Sequence, residues 1–451
     1  MALIELDRDA PPERLTGRRT PPPWRYRPAG LALAVLLLLA VAGAAPPGST
    51  FWRPLGLIPT GAGAELSLQM AGGRVFTIPV VGQSRTLTAW EPQPSPHPVW
   101  SVEVPVSATY DPVNGIFGAV RVQRVGDLLL VGAGLSSTVL DPETGRIRWT
   151  TPNRITPVGD GLAVLADRIF RPGTLYDQES GDPGMLYFSS DGQPHVEPPV
   201  RTEVRGLDLA TGAVLWTAAP AGSVTAEAAG GDGPAAVVIT ASDRLSLRDA
   251  RTGEVLREAE LPEEAGSGPG TSDVLDDVAL IGYPDAGLQA GYDVRTLRRL
   301  WTRDLHTDGE PDNCTGLLCT GGDREVRVLD RHTGQVIWSS PATVQLAYRA
   351  GSVLMSGPDG DGPGLLVDAG TGMPRADLTG WTGEVEGFDA RAVLLWRHER
   401  GGGRAFGAVL PGSTEVRYLG AADVLGGDCG GDDRYVVCRD VRGLRVWAYR
   451  V

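Results

Sequence analysis

The sequence predicts an all-β chain: a single β-propeller of about eight (seven to eight) four-stranded blades, preceded by one N-terminal transmembrane helix. Three observations predict it. The 61 Gly and 36 Pro of the 451 residues are spread along the whole chain, as many short strands and turns require. A single uncharged apolar run stands near the N-terminus, at 29–45. A ten-residue pattern recurs at a spacing of about forty residues, the length of one four-stranded blade.

Residues 1–28 hold Arg8, Arg14, Arg18, Arg19, Arg25 and Arg27 and read as a short Arg-rich cytoplasmic tail. The following 29–45, AGLALAVLLLLAVAGAA, is at the lower limit of what spans a bilayer. Positive charge before it and PPGST after it put the N-terminus inside and the remainder outside, so the expected location is the cell membrane with an extracytoplasmic propeller. Cleavage as a signal peptide at Ala42-Gly43-Ala44 is the competing reading. Residues 46–64 are expected to be a linker and 65–451 the propeller.

The pattern is Leu140-Asp141-x-x-Thr144-Gly145-x-x-x-Trp149, repeated as Leu207-Asp208 to Thr211-Gly212 and Trp216, and as Leu329-Asp330 to Thr333-Gly334 and Trp338. Weaker copies are Asp249 with Thr252-Gly253, Asp293 with Thr296-Leu297 and Trp301, and Asp368 with Thr371-Gly372. Each reads as a hairpin turn. The Asp side chain caps the backbone, the Gly supplies the positive φ, and the Trp lands on the outgoing strand where it can pack between blades. These residues are expected to be structural. Apolar runs before the motifs, such as 127–131, 235–239, 278–281 and 351–355, suit central strands. Eroded copies at 74–100 and 393–410 bring the count to eight, and the final run 435–449 is read as closing the ring, with strands from both chain ends completing the terminal blade.

The first two good copies are 67 residues apart where others are 37–44 apart. The excess, 166–203, reads as a loop insertion whose Tyr176, Tyr187 and Phe188 suit recognition of a partner.

Composition excludes several chemistries. All 41 basic residues are Arg and none is Lys, so P-loop, protein-kinase and Schiff-base sites have no lysine to use. A net charge of −14 argues against a nucleic-acid surface. Cys314, Cys319, Cys429 and Cys438 allow three pairings; two local disulfides, 314–319 and 429–438, are expected outside the membrane, with a zinc site as the alternative. Histidines 97, 195, 306, 332 and 398 share no ligand spacing, and Asp359-Gly-Asp361 lacks the remaining ligands of a calcium loop.

The Leu-Asp-x-x-Thr-Gly-x-x-x-Trp motif resembles the repeat of PQQ-like (pyrroloquinoline-quinone-type) β-propellers, a group that includes quinoprotein alcohol dehydrogenases and a lipoprotein of the outer-membrane β-barrel assembly machinery. The resemblance covers 65–451 and speaks for fold more than function. It implies a quinone with calcium only in the dehydrogenase branch, whose adjacent Cys-Cys pair this sequence lacks. No cofactor, metal ligand or catalytic residue is therefore expected. The expected function is a non-catalytic binding or scaffold module for a protein or cell-envelope partner, with a PQQ-dependent oxidoreductase as the alternative.

Overall fold

Short runs of alternating or fully apolar residues bounded by Gly-containing turns form strands here, and each strand finds its neighbour through the next turn. The computed structural model describes residues 51–450 except 60–65, 80–83, 106–119, 178–180, 182–183, 185, 223, 232, 306–313, 322–323, 358–361, 388–389 and 425–428. The expected tail 1–28 and helix 29–45 lie outside the described residues, as do His306 and the Asp359-Gly-Asp361 loop. Among the described residues no helix is long and apolar enough to cross a membrane.

The strands form nine antiparallel blades in chain order: 66–105, 120–151, 156–218, 225–260, 271–304, 319–341, 345–377, 383–422, and 429–450 completed by 51–59; Cys314–Thr315 and Glu386–Gly387 add parallel strands to the inner edges of blades seven and nine. The count corrects the expected eight. The run 435–449 closes the ring with strands from both chain ends, as expected, and does so as the middle of a ninth blade. That blade carries no Asp-x-x-Thr-Gly turn because its outermost strand, Phe51–Pro59, arrives from the other end of the chain. The same strand corrects the expected linker at 46–64. Phe51 faces Arg450 and Pro59 faces Gly443, and Leu55 and Ile58 are buried against the blade-nine core.

The second strands of several blades are strongly apolar. Leu128–Ala133, Ala236–Thr240 and Val278–Tyr283 are almost wholly buried, as expected of strands covered by a neighbouring blade on each face. The core lies between sheets, in clusters that each draw on two adjacent blades.

The motif turn has a fixed internal geometry. Asp141 Oδ1 accepts hydrogen bonds from the N–H groups of Glu143 and Thr144 and from the Thr144 hydroxyl, at 3.1, 3.0 and 2.9 Å. Asp249 and Asp330 repeat all three bonds, and Asp208, Asp293 and Asp368 accept from the hydroxyls of Thr211, Thr296 and Thr371. The Thr144 and Thr211 hydroxyls hold Asp141 and Asp208 below the usual carboxylate range, because they bond the charged form.

Five of the six turns, all but that of Asp293, also receive an indole from the blade before them. Nε1 of Trp100, Trp149, Trp216, Trp301 and Trp338 donates to the carbonyl following the next motif aspartate, at 2.7–3.0 Å. Each ring covers the turn glycine. A Cβ on Gly145, Gly212, Gly253, Gly334 or Gly372 would meet the indole at 2.5–2.8 Å. Glycine is needed there twice, for a φ near +70° and for the approach of the ring.

Hairpin alternation gives the propeller two unlike faces. Turns between first and second strands, and the motif turns between third and fourth, lie on one face, which we call the tight-turn face. Connections between second and third strands and between blades lie on the opposite, long-loop face.

Candidate partner-binding site

The longest described connection on the long-loop face leaves blade three after Leu162–Ile169 and returns at Arg201–Asp208. The singled-out segment 166–203 thus comprises two strand ends and an excursion of 170–200. Within the excursion, Tyr187–Phe188 pairs with Pro194–His195, whose other side is bridged by Leu175 through Tyr176 N–H to Pro194 O and Val196 N–H to Thr174 O.

This small sheet is fastened to the blade. Arg168 Nη1 donates to Phe188 O at 3.1 Å, the Arg168 N–H donates to Ser190 Oγ at 2.9 Å, and Ser190 Oγ donates to Ala166 O. Burial at this junction pulls the Arg168 guanidinium below its usual pKa. A second anchor is His195, stacked on Phe170 with ring centroids 3.8 Å apart. Thr174 Oγ1 donates its one proton to Arg171 O, so His195 Nδ1–H donates to Thr174 Oγ1. Burial lowers the His195 pKa, with Asp191 acting in the opposite sense.

The residues singled out from sequence do not form the exposed surface. Tyr187 and Phe188 are half-buried in the hairpin, and the Tyr176 hydroxyl donates to Gly181 O. The exposed apolar side chains are Leu175, Val196 and Val200, at 55, 43 and 45 %. Their signal in the sequence was slight: one Leu and two Val among Pro, Gly and polar residues.

The other predicted residues lie elsewhere. The repeat residues occupy the opposite face and the blade seams. Cys314–Cys319 and Cys429–Cys438 are disulfides; the first joins Cys314–Thr315, which pairs in parallel with the inner strand of blade seven, to Cys319–Gly321 of blade six, and the second ties the first strand of blade nine to its second. The four described histidines are dispersed over blades one, three, six and eight. A 290 Å³ cleft at the inner strands of blades seven and eight is lined by Arg349, Glu384 and Leu394 among others, and Arg349 and Glu384 neutralise each other through two bonds of 2.6 and 2.9 Å. On blade four, burial first and Asp273 second push Glu227 above its usual pKa.

Residues 200–345 match the family model described as outer membrane protein assembly factor BamB. The propeller is of the PQQ-like type. The PQQ-like propeller is similar to BamB from Moraxella catarrhalis at 14 % identity and TM-score 0.38, over 87 % of this chain and 99 % of that one. It is similar to Sqt1 from Saccharomyces cerevisiae at 11 % and 0.44, over 88 and 98 %, and to AztD from Citrobacter koseri at 12 % and 0.39, over 72 and 94 %. No curated protein matches the sequence.

Some PQQ-like propellers hold a quinone and calcium. Here the disulfides join cysteines five and nine residues apart, and among the described residues no three His, Cys, Asp or Glu side chains are grouped to hold a metal. These donors do not fit that pair, and no step is derived through it.

Proposed function

We propose that this chain is a membrane-tethered, extracytoplasmic binding or scaffold propeller that takes a protein or cell-envelope partner on its long-loop face, centred on the blade-three excursion. One observation carries the reading: Leu175 and Val196 stand exposed at a small sheet, with Val200 exposed beside it where the chain rejoins the blade, and Arg168, Ser190 and His195 fasten that sheet to the blade. Apolar side chains held out on an ordered support suit recognition. The 29–45 run supplies the tether.

The test is photo-crosslinking in native envelopes from a reactive residue placed at Leu175. A discrete adduct that disappears in the Val196→Asp/Val200→Asp background supports the reading; an adduct pattern indifferent to those substitutions overturns it. Titration with PQQ and calcium is the counter-test. A raised Tm together with a quinone spectrum would replace binding with cofactor chemistry.

A further inference from the structure

We propose that the rim of the tight-turn face is a bilayer-seating surface, so that the propeller rests on the membrane with its long-loop face and excursion turned away. The inference rests on the tether reading of residues 29–45. Its first support is topology. Phe51, the first residue of the outermost strand of blade nine, faces Arg450. Gly443–Arg450 runs from the second-to-third turn at 441–442 toward the tight-turn face, so the chain joins the propeller on that face. Six residue steps separate Phe51 from Ala45, where the uncharged run ends, and six steps reach at most about 21 Å even when fully extended. A tethered chain therefore keeps the tight-turn edge of blade nine close to the lipid.

The second support is the surface found there. Outermost strands are exposed edges, which soluble proteins usually blunt with charge. On blades three, four and six their first residues, just past the motif turns, are apolar and exposed, Val214, Leu215, Leu256, Val336 and Ile337, with Phe51 on blade nine, whereas the outer strands of blades two, five, seven and eight begin with Arg148, Arg299, Arg375 and Arg417 at or next to those places. On blades three, four, six and nine the apolar residues stand at the strand ends of one face, because the turn fixes where each strand starts. Among the described residues the long-loop face repeats no such pattern. The turns of this face hold more carboxylates, Asp127, Asp160, Asp276, Asp277 and the six motif aspartates among them, than guanidiniums such as Arg146, Arg251 and Arg331, so anionic headgroups are disfavoured and the occupant is a zwitterionic bilayer met mainly through apolar contact.

Full-length protein carrying Gln335→Cys on the tight-turn face, or Ser242→Cys on the long-loop face, is reconstituted into phosphatidylcholine vesicles. It is then labelled with a bulky, membrane-impermeant maleimide. We expect Gln335→Cys to label severalfold more slowly in vesicles than in detergent, and Ser242→Cys to label equally in both. Adding Leu215→Asp/Leu256→Asp should restore part of the lost rate. Equal rates for Gln335→Cys, or slowing of Ser242→Cys, overturn the orientation. Slow labelling of Gln335→Cys already in detergent, with a dimer mass by light scattering, places a second copy on the rim and also overturns it. Release of the protein by a carbonate wash is a separate result: it removes the tether reading, and the orientation falls with it.

Discussion

Two neighbouring seams of the ring carry the same turn and are closed by different means. Between blades three and four, Trp216 covers Gly253 and donates to Ala250 O. Between blades four and five the tryptophan position holds Arg257, which is exposed, and the glycine position holds Leu297 at φ +54°. Indole and glycine are absent together. Leu297 turns its side chain into the vacated space, where it is 4 % exposed, and Arg295 reaches across to the carbonyls of Ala229, Gly230 and Pro234 at 3.1, 3.2 and 2.8 Å. The lesson is that the motif is one device shared by two blades, and losing half of it removes the reason for the other half.

That comparison breaks most visibly at an intact seam. Trp301→Ala removes a buried indole and its bond to Arg331 O and should cost about 3–5 kcal/mol in chemical denaturation, whereas Arg257→Ala at the equivalent place should change stability by less than about 0.5 kcal/mol. Similar losses from both would mean that the indole does not hold the seam.

The glycine half is separable. Gly212→Ala meets both the +72° φ and the Trp149 ring and should cost about 2–4 kcal/mol, strain and overpacking together. Gly412, in the corresponding turn of blade eight, has φ +77° and open space where a Cβ would stand, so Gly412→Ala should cost only the strain, about 1–2 kcal/mol. Thermal melts of the two variants isolate the indole contact as their difference.

At the divergent seam the sign is decided by magnitudes. Leu297→Gly relieves about 1–2 kcal/mol of left-handed strain but gives up about 1.5–3 kcal/mol of burial. A net destabilisation near 1 kcal/mol is expected from those two figures; a stabilised variant would show that the leucine is not filling the indole's space.

The smallest effect is on pH dependence. Asp208 has a depressed pKa in the fold, first through the Thr211 hydroxyl. It therefore contributes stability above the ordinary aspartate value of about 3.9, which is lost as pH falls through the depressed folded value. Thr211→Val should raise that folded pKa toward the ordinary one and flatten the acid limb of a Tm profile taken between neutral pH and about 2. An unchanged limb would place the depression on the backbone donors instead.

Much of the scaffold was legible because it is local. Six turns, their spacing and the apolar second strands follow from windows of a few residues, and Cys314–Cys319 and Cys429–Cys438 are close in sequence. The ninth blade was hidden because its missing turn is replaced by Phe51–Pro59, a pairing that no short window contains. The Trp100–Gly145 contact joins residues of successive repeats, so the motif alone gives both residues but not their partnership. At the excursion the sequence marked the segment and missed its surface. Whether Tyr187 or Val196 faces outward is set by the small sheet's pairing and by the His195–Phe170 stack, and neither is encoded in residue type.

The pairing of Phe51–Pro59 with Gly443–Arg450 also sets a condition on biogenesis. These strands lie about four hundred residues apart, a separation at which loop closure is entropically expensive and slow to find. Eight blades can assemble from contacts within and between adjacent repeats while blade nine still lacks its outer strand. Until Phe51–Pro59 zips against Gly443–Arg450 the molecule is an open arc with two unpaired strand edges, the form most exposed to chaperones, proteases and self-association. A chain delivered N-terminus first must keep that opening strand unoccupied through the arrival of every other blade.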